Sequence, residues 1–249
     1  PIPTDTVIRD MSEDEVAIVK CGSTAGPFKL RLVRKWSPHG YDRAVELFRR
    51  GFYNNTHFFR AMNNFLVQFG ITYSDDEELR TFARSQIPDD PQLDPRIKFR
   101  PGIISFAGGG DNSRTAQMFF TYGPGNNLGA SKWETPIGEV VEGMDNVNNF
   151  NKSYGDHESF GGKAPNQGDI RTHGRDWVEK NYPGLSSFEE CTVSTVTPGV
   201  AGLMGASRLA HNSDSMSHGE SFLALGFIAA VAFGLFVISK RNKSRRFKI

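Results

Sequence analysis

The chain has 249 residues, with 29 Lys and Arg against 28 Asp and Glu, 20 Phe, 26 Gly and two Cys. The near-neutral balance leaves no nucleic-acid footprint in the total charge, and Cys21 and Cys191 alone exclude a disulfide scaffold or a zinc site of clustered thiolates. Six of the last ten residues, KRNKSRRFKI, are Lys or Arg, so the remainder is mildly acidic.

Numbering begins at Pro1 rather than at a methionine, which is the expectation for a chain whose N-terminal leader has been removed. EVAIVKC and FKLRLV flank GSTAGP, an alternating pair joined by a turn, and predict a β-hairpin. GYDRAVELFRRGFY sets Ala44, Val45, Leu47 and Phe48 on one helical face and ends at Gly51, a residue suited to a helix C-terminus. HFFRAMNNFLVQFG reads as one strand ending in glycine, and the acidic run DDEEL at 75–79 as a solvated loop. RPGIISFAGGG and TAQMFFTYG predict strands, PIGEVVEGMDNVNNF a strand running into a helix, GRDWVEKNYPG a short helix, and CTVSTV a last strand. Many strands with few helices predict a mainly β fold, a closed antiparallel barrel capped by two helices, over residues 1–196.

Residues 197–220 are small, polar and rich in Gly and Ser, a flexible stalk. From Ser221 to Ser239 runs SFLALGFIAAVAFGLFVIS, without a charge and long enough as a helix to span a hydrocarbon core of about 30 Å. The expected partner of this segment is membrane lipid. The basic tail, 240–249, predicts a cytosolic C-terminus, hence a single-pass protein of the secretory pathway (ER or Golgi) with a luminal domain. The alternative is a tail-anchored protein with its domain in the cytosol. Sequons at Asn54 and Asn151 are compatible with the lumen. In an oxidising compartment Cys21 and Cys191 can pair; elsewhere they stay free thiols.

AGGGDNSR lacks the Gly-Lys-Ser/Thr ending of a phosphate loop, and GGKA at 161–164 has Ala where a hydroxyl is needed. Six histidines show no paired ligand spacing, and no nucleophile motif of the GxSxG kind occurs. No metal and no cofactor are expected. The unexplained feature is FFRAMNNFLVQFG, an apolar run carrying Arg60 and Gln68, since charges are rarely buried unless paired.

That segment, FYNNTHFFRAMNNFLVQFG, followed by GIISFAGGGDNSRTAQMFF, NNLG and PIGEVVEGMDNV, resembles the cyclophilins, barrel-shaped peptidyl-prolyl cis/trans isomerases, in order and interval. The resemblance covers about residues 14–196, and its last part, GGKAPNQGDIRTHGRDWVEKNYPGLSSFEECTV with the earlier IPDDP, is similar to one branch of that family. It implies proline-containing polypeptide clients, with Arg60 as the catalytic arginine and Gln68 as the glutamine that orients it. It further implies Phe65, Leu66, Phe119 and Leu128 as the proline pocket, and Gly108, Gly109 and Gln117 as contacts to substrate backbone. Asn127 stands where many members carry a tryptophan that binds cyclosporin, which implies low sensitivity to that drug. The family's pocket histidine has no clear equivalent; Trp133 or Glu134 falls nearby. Met118 replaces a phenylalanine. The altered 108–118 and 129–136 segments motivate the alternative of a non-catalytic binding or scaffold module of a membrane complex.

Overall fold

The alternation read in the first hairpin becomes two paired strands, β1 (Val16–Ser23) and β2 (Phe28–Val33), which bury Ala17, Val19 and Cys21 beside Phe28, Leu30 and Leu32. These belong to a computed structural model that describes residues 14–125 and 128–196. Pro1, Asn127, the stalk (197–220), the span (221–239) and the basic tail (240–249) lie outside the described residues. Among the described residues no helix is long and apolar enough to cross a membrane.

The other strands are β3 (Arg60–Ala61), β4 (Leu66–Phe69), β5 (Ile103–Phe106), β6 (Met118–Thr121), β7 (Pro136–Glu142) and β8 (Phe188–Val196). They form one antiparallel sheet in the order β3-β4-β6-β5-β7-β2-β1-β8. The single strand expected over HFFRAMNNFLVQFG is two, because Asn64 takes a left-handed φ of 57° and turns the chain between β3 and β4.

The expected closed barrel is corrected to a curled sheet with two ends. Those ends meet only over a short seam before β3 and at the start of β8, where His57 bridges Ser187, Phe58 N–H donates to Ser186 O (2.9 Å) and Phe188 N–H to Thr56 O (2.8 Å). Asn55, at φ 58°, then turns the chain away, so no continuous ladder closes the sheet.

The two helices expected as caps are four among the described residues: α1 (Pro38–Arg49), α2 (Glu77–Arg84), α3 (Met144–Asn148) and α4 (Gln167–Asn181). The apolar face of α1 enters the core through Tyr41, Ala44, Val45, Leu47 and Phe48. Its first N–H groups are capped from a distance by Asp90, which accepts from His39 N (2.8 Å) and Gly40 N (2.9 Å). The DDEEL run is a helix start rather than a loop. Asp76 Oδ1 accepts from Leu79 N (2.9 Å), and Glu77 and Glu78 lie in the first turn, where the helix dipole favours acids. The short helix expected over GRDWVEKNYPG is the second half of α4, which breaks at Gly174 (φ 74°).

The many phenylalanines make the core. Phe58 and Phe150 stack with centroids 3.9 Å apart, and Phe28, Phe69, Phe120 and Phe188 surround them, mostly tilted or edge-on. Cys21 and Cys191, directly paired across β1 and β8, form a disulfide, so the two are not free thiols. The side chains of both sequon asparagines are engaged in the fold: Asn54 Oδ1 accepts from Cys191 N (3.1 Å) and Asn151 Nδ2 donates to Gly184 O (2.8 Å).

His57 is buried in the seam, with Nδ1 2.6 Å from the Tyr73 hydroxyl. Burial pushes its pKa from 6.5 down to about 4. The unfolded chain therefore takes up the proton first as pH falls, and stability is lost from about pH 6.5 downward until about pH 4. Denaturant unfolding is expected to lose about 3 kcal/mol across that window through this residue, and His57→Asn should flatten the slope. An unchanged slope in the variant would contradict this origin.

Candidate active site

Strand register places the site. Arg60 of β3 pairs with Gln68 of β4, Gln68 with Phe119 of β6, and Phe119 with Ser105 of β5. Residues directly opposite one another stand on the same face of a sheet, and residues two apart on a strand join them. Leu66, Ile103 and Gln117 therefore share that face with Arg60, Gln68 and Phe119. The other face, through Ala61, Val67, Phe69, Ile104, Phe106, Met118 and Phe120, enters the main core. An apolar run tolerates Arg60 and Gln68 because they stand on the face turned away from that core.

Arg60 is held on two sides. Its Nε donates to Asp156 Oδ1 (2.6 Å) and its Nη2 to Asp156 Oδ2 (3.3 Å), while Nη1 donates to Gln68 Oε1 (3.0 Å). A guanidinium has five N–H groups and can only donate, so one N–H on each of Nη1 and Nη2 is left over. The same one-way character sets the direction of a chain of glutamines. Gln68, offering its oxygen to Arg60, turns its Nε2 to Gln117 Oε1 (2.8 Å), and Gln117 Nε2 in turn donates to Gln167 Oε1 (2.7 Å).

Asp156 and Gln167 escaped the sequence reading. Asp156 is 96 positions from Arg60 and has no spacing that links them; only its place in the turn YGDHESFGG hints at a fixed loop. Ala61 N donates to Gly155 O (3.2 Å) and Ala164 N to Asp156 O (2.9 Å), so this loop is tied to β3 beside the ion pair. Burial alone would raise the Asp156 pKa. The bonds from Arg60 and from His157 N–H, with the charge of Arg60, outweigh it and hold the carboxyl below its ordinary value. Folding keeps Asp156 ionised, so the pair is complete above the ordinary carboxylate range and is lost only as pH falls through the depressed value. Gln167 opens α4, and Ile170 packs with Phe59 and Ile71, which brings this end of the helix alongside β3 and β4.

Beside the guanidinium lies a second apolar cluster. Leu66, Phe99, Ile103 and Phe119 are buried in it, with Phe65 and Leu128 packed against them. The four predicted pocket residues are thus brought together, and Phe99 is an addition from a segment without regular structure. Its ring stacks on Phe119 (centroids 5.9 Å), and its side chain fills the space that a Cβ on Gly125 or Gly129 would need.

At the pocket's other edge, Trp133 lies on Gly108, 2.7 Å from where a Cβ would stand, so only glycine fits there. Of the two residues near the missing histidine, Trp133 is the one against the strip. Glu134 turns back to accept from Gly129 N (2.8 Å), and burial raises its pKa. Gly109 is exposed, and its N–H donates to Ser113 Oγ (2.8 Å), within the loop itself. Behind this strip Arg114 is fully buried, 2.9 Å from Asp90 and 3.2 Å from Ser37 Oγ. Asp89 and Asn112 exchange two further bonds, of 2.8 and 2.9 Å. The strip is therefore fixed to the N-terminus of α1.

A family model described as cyclophilin type peptidyl-prolyl cis-trans isomerase/CLD matches residues 17–172. Among curated relatives, peptidyl-prolyl cis-trans isomerase CYP18-2 of Arabidopsis thaliana is 31% identical over 49% of this chain and 73% of its own length. Peptidyl-prolyl cis-trans isomerase-like 1 of Mus musculus is 31% identical over 51% of this chain and 74% of its own. Among solved structures, a Cryptosporidium parvum cyclophilin type peptidyl-prolyl cis-trans isomerase superposes with a TM-score of 0.52 at 18% identity, over 74% of this chain and 99% of that one, and so shares the fold. The family model spans more than half of the chain, and the chain belongs to the cyclophilin-type peptidyl-prolyl cis-trans isomerase family.

Proposed function

We propose that this domain isomerises X-Pro bonds in protein clients, with Arg60 as the group that lowers the barrier, and that it assists client folding while tethered to a membrane. The observation that carries the proposal is the guanidinium in register with Gln68 and Phe119, with two N–H groups to spare. A peptide bond resists rotation by about 18–20 kcal/mol because the nitrogen lone pair is delocalised. A proline ring resting on Phe65, Leu66, Phe119 and Leu128 sets its nitrogen toward Arg60. As the bond twists, the lone pair localises on nitrogen and accepts a hydrogen bond from the guanidinium, which stabilises the twisted state more than either planar one. Gln68 holds the plane of the guanidinium, and Gln117 with the Gly108–Gly109 strip meets the substrate backbone.

A second reading has its own support. Asp156 takes two of the donor groups of Arg60, and Trp133 covers Gly108, an arrangement suited to holding a proline segment without turning it over. A protease-coupled assay on X-Pro peptides separates the two. The enzyme reading predicts a rate above background that falls about 100-fold in Arg60→Ala. It predicts a fall of about tenfold in kcat in Asp156→Asn with KM little changed. No rate from the folded wild type, or more than half the rate surviving in Arg60→Ala, would defeat it.

The tether rests on the uncharged run 221–239 and its basic flank. The Cys21–Cys191 disulfide favours an oxidising, luminal setting for the domain. Proline-containing clients and membrane lipid are the corresponding partners. In sealed microsomes the full chain should resist alkaline carbonate extraction, and its domain should resist added protease. Release by carbonate would remove the span, and digestion of an intact membrane-bound chain would place the domain in the cytosol.

A further inference from the structure

Gln117 lines a surface hollow of about 400 Å³ that shares no residue with the apolar cluster of the proline pocket. Its wall carries three arginines from two helices, Arg80 and Arg84 of α2 and Arg171 of α4, and none of its lining residues is acidic. Ala83, between the two arginines of α2, lines the hollow with them.

The charge of this hollow is only partly balanced. Glu77, at the start of α2, reaches Arg84 (2.5 Å) and Arg80 (3.8 Å). Both arginines are exposed to water, where such pairs are weak and open to exchange. Arg171 has no carboxylate within ion-pair distance among the described residues. Its Nη1 donates to Gln167 O (3.1 Å), and its Nη2 lies 3.5 Å from Gln167 Oε1, both neutral acceptors. Although exposed, it is surrounded by enough protein that desolvation lowers its pKa, the signature of a cation without a counter-charge. An anion entering the hollow would meet a wall with three arginines and no acidic residue, and arginine is the residue type best suited to carboxylate and phosphate oxygens.

The hollow is also coupled to the site. Gln117 lines it and is bonded to Gln68, which is bonded to Arg60. Through these two bonds, Arg60 Nη1 and Gln117 Oε1 are at most about 8 Å apart, which two or three residues of extended chain cover at about 3.3 Å each.

We propose that this hollow binds an anionic side chain, carboxylate or phosphate, carried two or three residues from the proline on the same polypeptide, so that the domain selects acidic or phosphorylated proline segments. This rests on the proline-binding reading of the site, and binding measured apart from turnover keeps the two separable.

The experiment uses the full chain in detergent and fluorescein-labelled peptides built on an alanine parent with one central Ala-Pro. A single Glu or phosphoserine is moved through the three positions on either side. By anisotropy at 50 mM salt, the best anionic peptide should bind about tenfold more tightly than the parent, and this ratio should fall below about twofold in 0.5 M salt. It should also fall below about twofold in Arg84→Gln/Arg171→Gln, whose fold is checked by circular dichroism. A gain with Glu and phosphoserine alike assigns the site to carboxylates in general, and a gain with phosphoserine alone assigns it to phosphate; each supports the proposal. Equal affinity for parent and anionic peptides, or a gain that survives the double variant, overturns it. If the parent is isomerised without any preference for anions, only this proposal fails. If peptides are bound with that preference but never isomerised, only the enzyme reading fails. Binding of no peptide overturns both.

Discussion

The site depends on one guanidinium bonded along two of its sides and open at the rest. Asp156 grips Arg60 through Nε and Nη2, and Gln68 fixes Nη1, so the plane of the group is set before anything binds. Loose arginine side chains carry about 2 kcal/mol of rotamer entropy, which this arrangement removes ahead of binding. The same bonds impose a limit. The carboxylate offsets part of the positive charge, so the remaining donor groups act through direction as much as through charge.

The rest of the fold serves to keep that group beside an apolar hollow without burying it. The sheet does so by its two faces, one filled with phenylalanine and the other bearing Arg60, Gln68 and Phe119 in a row. The side of the pocket away from Arg60 is a loop without regular structure, and it is held from behind by the buried Arg114 with Asp90 and Ser37. Removing one member of such a buried pair leaves the other charge uncompensated, at a cost of about 3–5 kcal/mol. The network thus links α1, the 86–91 segment and the Gly108 strip into one rigid support.

Period and punctuation made much of this legible in the sequence. The alternation in β1 and β2, the single face of α1 and the glycine-ended apolar runs each correspond to an element. Failures came where a local signal has two meanings. Acidic residues at 75–79 fit a solvated loop as well as a helix start, and only the Asp76 cap decides between them. The apolar run 58–70 has no proline or glycine inside it, and the turn at Asn64 is signalled only by the Asn63–Asn64 pair, which a strand reading passes over. Closure of the sheet depends on where Asn55 turns the chain, which no periodicity records. Within the site, Arg60 and Gln68 stood out because they break an apolar pattern. Asp156, Gln167 and Phe99 break none; they reach the site only through tertiary contacts, from loops and a helix start far along the chain.

Geometry rather than charge is therefore the quantity to measure. Arg60→Lys keeps the positive charge but removes the planar fork that Asp156 and Gln68 hold. Assayed on an X-Pro peptide by NMR exchange between the cis and trans signals, this variant should lose nearly as much rate as removal of the side chain altogether, with the fold unchanged. Retention of half or more of the wild-type rate would show that a charge anywhere near the pocket suffices, and would contradict the account.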